Sequence, residues 1–110
     1  METQRASLGP KGRLKWLGEQ LENYVERWLG FCEVPGIPMA SLLNDDLFAM
    51  IGIGAEVMTE ELGRLPEFSD TTASWGKFLE VLAAVRDHGN REQVAQLRGA
   101  LTEVRSTVAG

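Results

Sequence analysis

Cysteine, histidine and tyrosine occur once each in this chain of 110 residues, as Cys32, His88 and Tyr24. A single thiol cannot close an internal disulfide, so no covalent staple is available to the fold. One Cys and one His also fall short of the four nitrogen and sulfur ligands of a structural zinc site, and the paired Glu-x-x-His motifs of a di-iron bundle are absent. No cofactor and no metal is therefore expected. The longest apolar run, "LFAMIGIGA" from Leu47 to Ala55, is well short of the roughly 18–20 residues that cross a bilayer, so no membrane association is expected. The opening "METQRASLGPKGRLK" lacks the apolar stretch and small-residue cleavage site of a secretory signal, which makes the cytoplasm the default expected location. Basic residues are also in deficit: 11 Lys and Arg against 16 Asp and Glu leave a formal charge of −5. That balance opposes direct nucleic-acid binding and favours basic partners.

What remains is an ordinary globular composition, 44% hydrophobic and 25% charged, in a chain long enough for one core. No segment alternates with the period of a strand, and no repeat is present. The chain is expected to be all-α. Leu14, Leu17, Leu21, Tyr24, Val25 and Trp28 recur at three- and four-residue steps and predict a first helix ending near Cys32, before Pro35, Gly36 and Pro38 turn the chain. A short helical turn fits residues 39–43. Asn44 or Asp45 can cap a second helix, which Pro66 ends. After a loop through "PEFSDTTAS", Asp70 or Ser74 can cap a third helix carrying Trp75, Phe78, Leu79, Leu82 and Val85. Gly89 suits its left-handed end, Asn90 and Gln93 form a capping box, and Val94, Leu97, Leu101, Val104 and Val108 make a narrow seam on a fourth helix. Four main helices at about 13–32, 45–65, 74–88 and 91–108 predict a small antiparallel bundle. Residues 1–11 read as a flexible leader and 12–110 as a single helical domain.

Two glycines two residues apart, Gly52 and Gly54, interrupt the second helix. A phosphate-binding loop needs such glycines between a strand and a helix start, and here the helix has already begun. On a helical wheel Gly54 falls among Leu47, Met50, Ile51, Val57 and Met58, the expected buried face, and reads as a packing notch. Gly52 falls on the other side, with Ala49, Glu56, Thr59 and Gly63. A hinge is the alternative, since two glycines cost about 1 kcal/mol each in a helix interior.

Residues 47–53, "LFAMIGI", are apolar around the whole helix, which predicts cover by another chain near Phe48, Ala49, Gly52 and Ile53. Trp16 projects about 120° from the centre of the first stripe and is expected to be partly exposed, as a partner anchor or under the leader. Phe68, in the loop after Pro66, carries the same two readings. Candidate chemistry is thin. His88 sits at a helix C-terminus where a cation is favoured, Cys32 has no histidine nearby in sequence, Asp45 and Asp46 read as a cap, and Glu56, Glu60 and Glu61 as a solvated face. The expected function is a non-enzymatic protein–protein interaction module, a small regulator, adaptor, chaperone or inhibitor, that presents helical apolar surface to another protein or to a second copy as a dimer. The alternatives are a ligand-binding or enzymatic bundle with an interhelical pocket, using Cys32 or the Glu56–Glu61 carboxylates, and an acidic nucleic-acid mimic.

Overall fold

Pro10 stands in the first turn of the first helix. In the computed structural model, which describes residues 9–89 and 91–109, α1 runs Gly9–Cys32, α2 Met39–Leu43, α3 Asp46–Gly63, α4 Ser69–His88 and α5 Arg91–Ala109. Proline's fixed φ suits a first turn, where its missing N–H would have no helical partner. Residues 9–11 are thus helical, which corrects the leader; its remainder, residues 1–8, lies outside the described residues, as does the cap expected at Asn90.

The other boundaries follow local chemistry. Asp45 caps α3 by accepting a 2.8 Å hydrogen bond from the Leu47 N–H, and α3 ends at Gly63. α4 begins at Ser69, five residues earlier than the expected 74, and neither Asp70 nor Ser74 is its cap. Phe68 holds that position without a side-chain bond, while Asp70 lies in the first turn, where the helix dipole favours an anion. The Ser/Thr run that reads as loop is helical because Thr71 is buried, its hydroxyl accepting from Thr107 on α5 at 2.8 Å. Gly89 closes α4 at φ 61°, with its N–H donating to the Val85 carbonyl.

The five helices of the described residues pack around one apolar core, to a shortest overall dimension of 20 Å, two helix layers. α5 supplies the seam read from its spacing, with Val94, Leu97, Leu101, Val104 and Val108 all buried. α4 lies along α5, and α1 lies between α5 and α3, whereas α3 and α4 touch sparsely. Between α1 and α5, a Cβ at the buried Gly18 would stand 3.3 Å from the Arg105 side chain, whose guanidinium pairs with Glu22. Trp28, fully buried, donates its indole N–H to the Leu42 carbonyl at 2.9 Å and meets the Phe48 ring at 4.8 Å between centroids. It therefore pins α2 and the start of α3 to α1.

That contact sets the rotation of α3 and overturns two expectations. Phe48 is 9% exposed and belongs to the core, not to an outer face. The buried stripe is Phe48, Ile51, Ala55, Met58 and Leu62, so Met50 and Val57, expected inside, lie at the surface.

Candidate functional site

The rotation of α3 leaves a stripe of large apolar side chains exposed among the described residues. Met50, Ile53 and Val57 are 37%, 55% and 43% exposed, and they account for three of the four exposed large hydrophobic residues among the described ones. The spacing of three then four keeps them on one helical face. Across from them α1 presents Leu17 and Tyr24, partly buried against the core, with Trp16 and Gln20 further out. Together the two faces enclose a groove of about 490 Å³.

Gly54 forms part of its lining. A Cβ there would sit 2.8 Å from Leu21 Cδ2 and 3.3 Å from Leu21 Cγ, and Leu21 is itself buried, so the missing side chain is what lets α1 and α3 approach. The packing notch expected from the sequence is present, at the edge of the buried stripe. A Cβ at Gly52 would meet nothing within 4 Å. The two glycines should therefore respond oppositely. Gly52→Ala is expected to raise folding stability by up to about 1 kcal/mol through helix propensity, whereas Gly54→Val should cost about 1–3 kcal/mol by overpacking. Urea denaturation of the two variants checks this, and equal effects would contradict it.

One end of the groove is closed by charge. The Arg13 Nε–H donates to Glu61 Oε1 at 2.7 Å, and Arg64 stands 3.8 Å from the other Glu61 oxygen. Glu61 is only 15% exposed, so it is not part of a solvated face, although Glu56 and Glu60 are exposed. On the opposite side of α1, Arg98 makes a two-pronged hydrogen bond to Glu26 at 2.6 and 2.7 Å. That bond, and then the charge of Glu26, raise the Arg98 pKa above its ordinary value. Lying on the solvent-exposed α1–α5 face, the pair plays no part in the groove.

The expected partner-binding residues separate in the structure. Trp16 and Ile53 line the groove, whereas Ala49 and Gly52 face a second, wider hollow of about 720 Å³ toward α4. Ile53 borders both. Phe68 is partly buried against the core. Volume does not choose between the two hollows: the wider one sets Leu79 and Leu82 among Glu56, Glu60 and Arg86, while the narrower gathers Trp16, Leu17, Tyr24, Met50 and Val57 along two facing helices. Met50, Val57, Leu17 and Tyr24 are groove residues that spacing alone assigned to the core. The one signal in the sequence was the apolar excess of α3 itself, which carries more large side chains than a single buried face can hold.

Cys32 lines a hollow of about 220 Å³ with Leu29, Met39 and Val94, next to Glu33 and Arg98 and with no histidine in its lining. His88 is exposed in the last turn of α4. Among the described residues no three His, Cys, Asp or Glu side chains gather as a metal-binding group, and no helix is long and apolar enough to cross a membrane. The chain matches no family model, no curated protein and no solved structure.

Proposed function

We propose that this chain is a non-enzymatic interaction module that docks an amphipathic helix of another protein chain in the α1–α3 groove. The observation that carries this is the Met50–Ile53–Val57 stripe, exposed beside Trp16, Leu17 and Tyr24. Two parallel ridges with an apolar channel between them are what a helix needs to seat residues at i, i+3, i+4 and i+7. An aromatic at the rim, such as Trp16, provides an anchor of large area at low entropy cost.

The arrangement of the helices supports the same reading. Arg13–Glu61, Trp28–Phe48, Arg98–Glu26, Trp75–Thr59 and Thr107–Thr71 each join an early residue of one helix to a late residue of its neighbour. We read the four long helices as an antiparallel bundle that is loosest along α3–α4. α3 is then held firmly on its α1 side, and its outer stripe is left to a partner. A cytoplasmic setting fits a chain with a single cysteine.

The test compares capture from an extract of the native host by the wild-type chain and by Ile53→Asp. Because Ile53 is half exposed, the variant should keep the wild-type thermal transition. The expected result is at least one protein, another copy of the chain included, held by the wild type and lost by the variant. A wild type that captures nothing, or only proteins held equally by Ile53→Asp, overturns the reading.

A further inference from the structure

Resting on that docking reading, we infer that the helix received by the groove is α3 of a second copy of this chain. Three contacts fix how α1 and α3 run beside each other: Arg13 meets Glu61, Leu21 underlies Gly54, and Trp28 meets Phe48. A two-fold axis parallel to these helices, lying in the plane of the groove, places α3 of one copy over α1 of the other without changing its level. Ile53, the most exposed large apolar residue among the described ones, is at the level of Leu21. It then descends between Leu17, Gln20 and Tyr24 of the facing copy, while the reciprocal contact forms on the other side of the axis. The interface is closed and uses one surface twice, as isologous dimers do.

Charge selects this axis over the other two-fold that brings the grooves face to face. Seven-residue spacing puts Arg27 on the α1 face of Gln20, and Asp46 and Glu60 on the α3 face of Ile53, all three exposed beside the groove, while Arg13 stands at its closed end on Glu61. With the axis along the helices, Arg27 of one copy meets Asp46 of the other, and Glu60 comes to the end where Arg13 already holds Glu61. With the axis across them, α1 lies on α1, so that Arg13 opposes Arg27 and, on α3, Asp46 opposes Glu60. Apposed like charges penalise that second arrangement.

Size sets the strength. From Arg13 to Arg27 the face is about 21 Å long and two helices, about 20 Å, wide. Such a patch, on the order of 400 Å² in projection, is about half the roughly 800 Å² per partner of a standard interface, so the dimer should be weak, dissociating at tens to hundreds of micromolar. Each protomer keeps its own core and folds as a monomer.

Sedimentation velocity over about 1–300 μM decides the matter. The wild type is expected to move from 12.1 kDa toward twice that mass as concentration rises, and Ile53→Asp to stay monomeric with an unchanged thermal transition. Arg27→Asp and Asp46→Arg should each weaken association by about tenfold, and the two together should restore most of it. A monomer throughout, a dimer indifferent to Ile53→Asp, or a double variant no better than the singles overturns the inference. A monomeric wild type that still captures a different protein through Ile53 overturns self-docking while leaving the docking groove in place.

Discussion

Trp28→Ala is expected to lower folding stability by about 3–5 kcal/mol, the usual cost of emptying a buried indole site. The ring is fully buried, touches Phe48, and donates to the Leu42 carbonyl. Three helices therefore lose a shared contact at once. For a domain whose whole stability is of order 5–15 kcal/mol, this approaches the margin of folding. Trp28→Phe keeps most of the apolar volume and removes the indole N–H; the Leu42 carbonyl retains its bond from the Asp45 N–H at 3.3 Å, so the lost bond should cost about 0.5–1.5 kcal/mol, less than the truncation to Ala. Guanidinium denaturation monitored by circular dichroism measures both. A loss below about 1 kcal/mol for Trp28→Ala would mean that α2 and α3 are not anchored as described.

Trp75→Ala is expected to cost a similar 3–5 kcal/mol, with a more local signature. Trp75 is 2% exposed and stacks near Phe78, with ring centroids 4.8 Å apart. Its indole N–H donates to Thr59 Oγ1 at 2.9 Å, and the Thr59 hydroxyl donates in turn to the Ala55 carbonyl at 2.8 Å. Since α3 and α4 otherwise touch sparsely, this relay is their principal clasp. Removing it should speed hydrogen exchange in the second half of α3 more than in α5. Thr59→Val takes away the acceptor alone, leaves the indole N–H without a partner, and should cost about 1–3 kcal/mol. Uniform acceleration of exchange in α3 and α5 would show that Trp75 acts only through the global core.

The parts of this fold that were legible in the sequence are those where one periodic pattern had no competitor. α5 carries five apolar residues at strict three- and four-residue steps among polar ones, so only one face could be buried. Gly89 was equally plain, because a glycine directly after a basic last turn suits the left-handed helix end and little else. α4 began early because Ser69–Ser74 is polar by composition, yet Thr71 makes its bond inside the molecule; a single buried hydroxyl gives no periodic signal. Pro10 illustrates the same difficulty at α1, since proline marks both a break and a first turn, and only its position relative to the helix distinguishes them.

α3 was the least legible element and is also the one that carries the groove. Residues 47–53 are apolar all round, so hydrophobic periodicity cannot fix which side is inside. The same excess pointed to an outward apolar face, and Ile53 and Trp16 do line one groove. Phe48 does not belong to that face, because the contact that decides the rotation joins it to Trp28, a residue of another helix. Gly54 was readable as a close approach, but its neighbour, Leu21, was not.

Isotope-labelled chain offers the most direct test of the groove as the docking surface: amide signals and the Trp16 indole N–H signal are followed through a dilution series, then with the protein captured by wild type and refused by Ile53→Asp. The groove predicts shifts concentrated at Trp16, Leu17, Gln20, Met50, Ile53 and Val57, with the α4–α5 face unmoved. Shifts centred on α4 and α5, with the Trp16 indole and Ile53 unchanged, would contradict it.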